Sequence, residues 1–236
     1  VYALLKENGY DGIEIAPTRI IPVAPYDNVN EIKKWADELR KKYGFVIPSM
    51  QSIWYGRQES IFGSTEERNL LIEYTKKSID FAAAVGCGNL VFGCPRNRNM
   101  PDGNDDSLAV EFFKLIGDYA AEKGTVIGME ANPSIYNTNY INSTEQALEL
   151  INSVDSDGFR LNLDVGTMIY NEEDPKTLVG KVELINHVHI SEPYLKPICE
   201  RVLHEELIDI LGREGYKGFV SIEMAKGEFD IIEKAV

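Results

Sequence analysis

Short runs of apolar and β-branched residues alternate with amphipathic stretches along the whole chain. Several of the short runs are apolar nearly throughout, which is typical of parallel strands covered on both faces. The stretches between them have helical periodicity and end at glycines. This alternation predicts βαβ units and a parallel sheet. The predicted strands are GIEIAP (12–17), FVIPSMQSI (45–53), NLVFGCP (89–95), TVIGMEANP (125–133), FRLNLDVGTM (159–168), INHVHISEP (185–193) and GFVSIEM (218–224).

The number of predicted strands points to a barrel. Seven strands are one fewer than a (β/α)₈ TIM barrel has, and that fold usually takes about 250 residues. VYALLKENG (1–9) reads as the end of a helix with nothing before it, and GEFDIIEKAV (227–236) as a last helix cut short. We therefore predict one TIM barrel domain over 1–236, incomplete at both ends, with its first strand missing. A doubly wound open sheet is the alternative, but no G-x-G-x-x-G turn follows any strand.

Composition and charge limit the partners. The 236 residues carry a net charge of −14, which repels phosphate backbones and anionic membranes. The three cysteines form no C-x-x-C pair, which argues against disulfides and a structural zinc site and suits a reducing cytoplasm. No apolar run approaches the roughly 20 residues of a membrane span. We expect a cytoplasmic protein that binds a small molecule, not nucleic acid or membrane, with a homo-oligomer left open.

Polar residues at four consecutive strand ends suit a divalent cation. They are Glu130, Asp164, His189 and Glu223. In a barrel the carboxyl ends of all strands open on one face, so these side chains should meet there. An ionised carboxylate in an apolar strand is costly unless it is paired or binds a metal. Carboxylate and imidazole ligands together suit Mn²⁺, Co²⁺, Fe²⁺ or Zn²⁺, with Mg²⁺ also open.

Further candidates for the pocket lie on strands or just after them. His187 shares a face with His189 one layer deeper, which favours a supporting or core role. Arg96 and Arg98 match a phosphate or carboxylate, although a loop or salt-bridge role is equally open. His204 precedes a helix and reads either as a site residue or as a solvent-facing helix start. The full set of candidate substrate contacts is Glu14, Gln51, Arg96, Arg98, His187, Glu192 and His204.

Seven phrases of the sequence resemble a known family. They are GYDGIEIAP, SMQSIWYG, LVFGCPRNR, MEANPSIYNTNYI, LNLDVG, HVHISEP and GYKGFVSIEM, and they run over nearly the whole chain. Together they resemble the sugar phosphate isomerase/epimerase group of xylose isomerase-like TIM barrels. The resemblance implies the same barrel fold.

The ketose 3-epimerases of that group bind one divalent metal through a Glu, Asp, His, Glu set. The resemblance places these roles on Glu130, Asp164, His189 and Glu223, with the two glutamates also acting as the acid/base pair. Three substrate contacts of those enzymes are replaced. Tyr136 stands near the position of a second Glu, Thr167 stands where a His would be, and Pro193 to Lys196 lack an Arg.

Three classes of function compete. A metal-dependent isomerase or epimerase of a sugar, sugar phosphate or polyol derivative would move a proton through an enediolate. A metal-dependent dehydratase or lyase on the same barrel is the nearest alternative, and a non-catalytic sugar-binding barrel is another. A nuclease like endonuclease IV would need many histidines for three zinc ions, whereas this chain has three histidines and an acidic charge.

Overall fold

Helices and parallel strands alternate in the computed structural model, which describes residues 1–236. The strands are shorter than the apolar runs that predict them. Short 3₁₀ turns follow several strands, among them Pro95–Arg98, Ser134–Tyr136 and Pro193–Leu195. In chain order the main elements are α1 (Tyr2–Glu7), α2 (Pro17–Ile20), α3 (Val29–Tyr43), β1 (Ser49–Met50), α4 (Thr65–Val85), β2 (Asn89–Phe92), α5 (Ser107–Glu122), β3 (Ile127–Met129), α6 (Thr144–Val154), β4 (Phe159–Asp164), α7 (Val165–Asn171), β5 (Ile185–Ile190), α8 (Val202–Arg213), β6 (Phe219–Ile222) and α9 (Phe229–Ala235).

The six strands form one parallel sheet in sequence order, from β1 to β6. The predicted strand at 12–17 is reduced to two parallel bridges, Gly12 to Val46 and Ile15 to Met50, which extend the sheet beyond β1. The sheet curls into a partial barrel, which confirms the predicted fold and contradicts the doubly wound alternative. The open side is a cleft of about 1080 Å³ between the segments 10–16 and 217–227.

The open side of the barrel exposes apolar residues of β6. Phe219 and Val220 are 42% and 48% exposed, and no main-chain hydrogen bond joins β6 to residues 12–16. The predicted strands GIEIAP and GFVSIEM therefore do not pair directly. Elsewhere the sheet is covered, and 47 buried residues form one apolar cluster.

Helix boundaries follow the local signals in the sequence. Ser64 caps α4, where its hydroxyl accepts from the Glu67 amide and the Glu67 carboxylate accepts from the Ser64 amide, which forms a capping box. Ser143 caps α6 in the same way, but Gln146 accepts from the Asn142 amide instead of closing the box. No helix is long and apolar enough to cross a membrane.

Candidate metal centre and active site

The four strand-end residues predicted as ligands lie at the carboxyl ends of β3 to β6. Glu130 follows β3, Asp164 ends β4, His189 lies in β5 and Glu223 follows β6. In the parallel register Asp164 lies beside His189, and His189 lies beside Ser221. The carboxyl ends of β4, β5 and β6 are therefore at the same height in the barrel. Glu130, Asp164 and Glu223 line one cavity of about 210 Å³.

His189 is the centre of the cluster. Its Nδ1 lies 3.1 Å from Glu130 Oε2 and 3.3 Å from Glu223 Oε2. One potential ligand atom from each of these three residues lies within 4.8 Å of the others. Asp164 lines the same cavity but lies outside this compact set. The structure thus brings three of the four predicted ligands into one group and the fourth to its edge.

Glu130 is held by amide donors on both oxygens. Asn132 Nδ2 donates to Oε1 at 3.0 Å, and Asn162 Nδ2 donates to Oε2 at 2.9 Å. Glycine at position 93 makes room for this carboxylate, because a Cβ there would lie 2.9 Å from Glu130 Oε1. The side chain is therefore fixed in one direction within the cavity wall.

A chain of amides crosses the barrel interior and ends at Glu130. Asn186 Nδ2 donates to Asn89 Oδ1 at 2.8 Å, and Asn89 Nδ2 donates to Asn162 Oδ1 at 3.0 Å. Each amide accepts on its oxygen and donates from its nitrogen, so the direction of the chain fixes which atom of Asn162 faces Glu130. A buried polar chain with every member paired rigidifies its surroundings.

Glu223 has much less support. Its carboxylate lies beside His189 Nδ1, and its main-chain amide donates to Ile190 O at 2.9 Å. No side-chain amide or hydroxyl donates to its oxygens. The side chain is therefore the freer of the two glutamates in the cavity.

Asp164 is fixed by the loop that follows it. The Thr167 amide donates to Asp164 Oδ2 at 2.9 Å, the Thr167 hydroxyl lies 2.7 Å from the same oxygen, and the Ser191 hydroxyl donates to Oδ1. Burial and the negative charge of Glu130 raise the pKa of Asp164 above its ordinary value. Asp164 thus caps α7 and also faces the cavity.

The second ring nitrogen of His189 contacts Glu14. His189 Nε2 lies 2.8 Å from Glu14 Oε2. Burial alone would raise the pKa of Glu14, but the charge and hydrogen bond of His189 lower it to about 2. Burial alone would lower the pKa of His189, but Glu14, Glu130 and Glu223 raise it well above its usual value. The imidazole therefore sits between carboxylates on both sides.

His187 and Gln51 support the residues around Glu14. His187 Nε2 lies 2.8 Å from Ser221 Oγ, and Gln51 Nε2 donates to Glu14 Oε1 at 3.0 Å. Burial lowers the pKa of His187 to about 4. Gln51 lines the cavity, whereas Glu14 and His187 lie behind it.

Two predicted substrate contacts need correction. Arg98 is fully buried, and its guanidinium donates to Glu130 O at 2.8 Å and to Asn132 Oδ1 at 2.9 Å. It supports the cavity wall and does not reach into the cavity. Both oxygens of Glu192 accept from Arg201, at 2.7 and 2.5 Å, so this buried carboxylate is already paired.

Arg96 and His204 lie outside the cavity wall as well. Arg96 is exposed on the turn Pro95–Arg98, and His204 lies in the first turn of α8 with its Nε2 buried and unpaired. Neither lines the cavity.

Two asparagines of the site, Asn132 and Asn162, are not among the residues predicted from the sequence. Asn132 and Asn162 orient Glu130, and Tyr136 lines the cavity and accepts from the Tyr194 amide at 2.9 Å. A period-two reading could have found both asparagines, since each lies two residues from a predicted ligand and so on the same face.

Three of the nine non-glycine residues with positive φ angles line the cavity. Ser52, Cys94 and Leu195 line it and have φ angles of 55°, 40° and 51°. Left-handed conformations of residues other than glycine cost free energy and cluster at functional sites. The cavity therefore has a feature expected of an active site beyond its charged groups.

Comparison with known proteins assigns the chain to a family. The family described as xylose isomerase-like TIM barrel matches residues 2–235. The chain belongs to this family. A comparison with curated protein sequences gave no match.

Solved structures share the fold at low sequence identity. The 3-keto-D-glucoside 4-epimerase YcjR from E. coli is 21% identical with a TM-score of 0.77, over 99% of this chain and 89% of that chain. D-allulose 3-epimerase from Methylomonas sp. is 22% identical with a TM-score of 0.74, over 96% and 77%. An AP endonuclease of family 2 from Brucella melitensis is 18% identical with a TM-score of 0.75, over 99% and 89%. These similarities establish the fold.

The cluster around His189 fits a divalent cation. It offers two carboxylates and one imidazole nitrogen at close range, with a third carboxylate at the edge of the cavity. The other imidazole nitrogen contacts a carboxylate, an arrangement common for metal-binding histidines. A second group, Glu14, His187 and His189, also brings ligand atoms within 4.8 Å of one another.

Proposed function

We propose that the protein is a divalent metal-dependent isomerase or epimerase of a sugar or polyol derivative. The observation that carries this proposal is the convergence of Glu130 and Glu223, from separate strands, on one imidazole nitrogen in a cavity. Two carboxylates in one cavity are a suitable pair for removing and returning a proton.

The proposed cation is Mn²⁺, Co²⁺, Zn²⁺, Fe²⁺ or Mg²⁺, held by Glu130, Asp164, His189 and Glu223. When bound, it would supply a Lewis acid that polarises a carbonyl group and offsets negative charge on the substrate. The ligand set favours a cation that accepts both oxygen and nitrogen.

Glu130 and Glu223 are the proposed acid/base pair. One carboxylate removes the proton next to the substrate carbonyl, which leaves an enediolate, and the other returns a proton to the opposite face. The carboxylates enter from β3 and β6, on either side of His189, so they can approach different faces of a small substrate. The fixed orientation of Glu130 keeps one of the two groups at a constant position.

The cavity wall favours an uncharged substrate. Its acidic residues are Glu130, Asp164 and Glu223, and its other polar residues, such as Gln51 and Asn132, are neutral. No lysine or arginine lines it, although arginine is the side chain best matched to phosphate. We therefore favour a neutral sugar or polyol derivative over a sugar phosphate.

The comparisons support this class of reaction. Two of the similar structures are named as epimerases of a 3-keto-D-glucoside and of D-allulose. A dehydratase or lyase would use the same metal group, and a non-catalytic barrel would not need two glutamates at one cavity. The chain's three histidines and net charge of −14 disfavour nuclease activity.

Turnover in D₂O tests the proposal. Metal-loaded protein should be supplied with neutral ketoses, keto-glycosides and their phosphates, and the products analysed by NMR. We expect deuterium at the reacting carbon, with exchange lost in Glu130→Gln and in Glu223→Gln. A product without solvent label, or full activity in both variants, would contradict the assignment.

A further inference from the structure

We propose that Glu14 is a positioning residue that makes Nδ1, and not Nε2, the metal-binding nitrogen of His189. This inference rests on the metal site of the proposed function. Glu14 lies on the segment after α1, far from His189 in the sequence and on the other side of the open cleft. Its Oε2 lies 2.8 Å from His189 Nε2, whereas Nδ1 faces Glu130 and Glu223.

The chemistry of the two partners fixes the tautomer. An ionised carboxylate only accepts hydrogen bonds, so the 2.8 Å contact with Glu14 needs a hydrogen on Nε2, and a cation among the cavity carboxylates would take the place of the hydrogen on Nδ1. The lone pair of a neutral ring is then on Nδ1, on the side of the cavity. A carboxylate behind a metal-binding histidine orients the ring and raises its basicity as a ligand.

Glu14 is itself held in place. Gln51 Nε2 donates to its other oxygen, Oε1, at 3.0 Å, and only 8% of the side chain is exposed. Its two oxygens thus contact different partners, which defines the plane of the carboxylate. A contact held in this way can orient His189 from the opposite side of the barrel.

A metal between Glu14, His187 and His189 is the competing explanation. These residues also bring ligand atoms within 4.8 Å of one another. His187 Nε2, however, is 2.8 Å from Ser221 Oγ, so its ring is directed to that hydroxyl. His189 Nε2 cannot donate to Glu14 and bind a cation at the same time. The two explanations predict different stoichiometry and a different bound nitrogen.

Calorimetric titration of Co²⁺ alone into metal-free protein tests the first consequence. We expect one equivalent to bind the wild type, with affinity reduced about tenfold in Glu14→Gln and up to about 100-fold in Glu14→Ala. Glu173→Gln is the matched control, since this half-buried carboxylate also accepts hydrogen bonds, from Thr144 N and Asn171 Nδ2, outside the site. It removes the same charge and should leave the affinity within about twofold.

Nitrogen-15 NMR of the Zn²⁺-loaded protein tests the tautomer directly, and three histidines keep the spectrum simple. We expect Nδ1 of His189 to be the metal-bound nitrogen and Nε2 to carry hydrogen. Two equivalents in the wild type, or unchanged affinity in both Glu14 variants, would overturn this inference alone, whereas a single equivalent bound to Nε2 would contradict the proposed metal site as well. A wild type that binds no Co²⁺ or Zn²⁺ would overturn the proposed function as well.

Discussion

The two glutamates of the cavity are supported in opposite ways. Glu130 accepts hydrogen bonds from Asn132 and Asn162, and Arg98 holds Asn132 from behind. Glu223 forms one ionic contact, with His189. It follows β6, in which Phe219 and Val220 are 42% and 48% exposed. On one side of the site both oxygens of Glu130 and the amides of Asn132 and Asn162 are hydrogen-bonded, and the other side lies at the open edge of the sheet.

This difference shows where the geometry of the site is determined. A carboxylate whose two oxygens both accept hydrogen bonds from oriented amides has one preferred arrangement. A carboxylate with a single neighbour can adjust when a substrate or cation binds. We infer that the Glu130 side sets the position of the site, and that the Glu223 side adapts to it.

The largest effect is expected for the residue behind Glu130. Arg98→Ala removes the donors to Glu130 O, Asn132 Oδ1 and Ile141 O and leaves a cavity in the interior. We expect the free energy of unfolding to fall by about 4 kcal/mol. Arg96→Ala, two residues away and exposed, is the control and should change it by less than about 0.5 kcal/mol. Urea denaturation measures both, and equal values would show that Arg98 does not support the wall.

Replacing each glutamate by glutamine compares the two sides directly. Both substitutions remove one negative charge from the cavity. The difference between their free energies of unfolding therefore reports the effect of the asparagine amides that donate to Glu130. A glutamine at position 130 would direct an NH₂ group at one of two asparagine donors. We expect metal-free Glu130→Gln to be less stable than Glu223→Gln by about 2 kcal/mol. Denaturant titrations measure both free energies of unfolding. If Glu223→Gln were the less stable variant, the amide donors would not make Glu130 the better supported glutamate.

The loop beside Glu223 has one ion pair, Glu192 with Arg201. Burial would raise the pKa of Glu192, but its hydrogen bonds to Arg201 lower it. The pair therefore contributes stability above the ordinary glutamate pKa of about 4.3, and loses it as the pH falls through the lower folded value.

Arg201→Gln should lower the free energy of unfolding by about 1 kcal/mol at pH 7. The effect is modest because the arginine is partly exposed to solvent. The difference in stability between Arg201→Gln and the wild type should become smaller as the pH falls below about 4.3. Thermal unfolding between pH 3 and 7 measures it, and a difference that widens toward acid would contradict this account.

The smallest expected effect is a difference in alkylation between two cysteines, Cys94 on the Glu130 side of the site and Cys199 on the Glu223 side. Cys94 lines the cavity near Glu130, and burial raises its pKa to about 12. Cys199 is exposed in the loop that includes Glu192 and Arg201. Because the thiolate is the reactive form, iodoacetamide at pH 7.5 should modify Cys199 and leave Cys94 intact. Mass spectrometry of the peptides shows which thiol reacts, and rapid labelling of Cys94 would mean that the Glu130 side opens.

The sequence predicts the barrel and the four strand-end residues because both depend on local periodicity. Alternating apolar runs locate β2 to β6, and the carboxyl ends of parallel strands share one face. The segment 12–17 is apolar like a strand, but it forms only two isolated bridges, both to residues 46–50, and has no partner on its other side. Periodicity does not reveal how many partners a strand has.

The supporting contacts are not predictable in the same way. Arg98 and Glu192 look like binding residues in the sequence because they are charged and follow strands. Their partners, Asn132 and Arg201, become neighbours only through loop geometry. The contact between Glu14 and His189 joins opposite ends of the chain. Such pairings follow from the closure of the barrel and have no local signal.

The central claim is that one divalent cation binds at His189 Nδ1 among the three carboxylates of the cavity. Anomalous diffraction from crystals soaked in Mn²⁺ tests it most directly. We predict a single anomalous peak, with His189 Nδ1, Glu130, Glu223 and Asp164 as ligands at roughly 2.0–2.3 Å. A peak between Glu14, His187 and His189 Nε2, or no peak at a saturating concentration of Mn²⁺, would contradict the account.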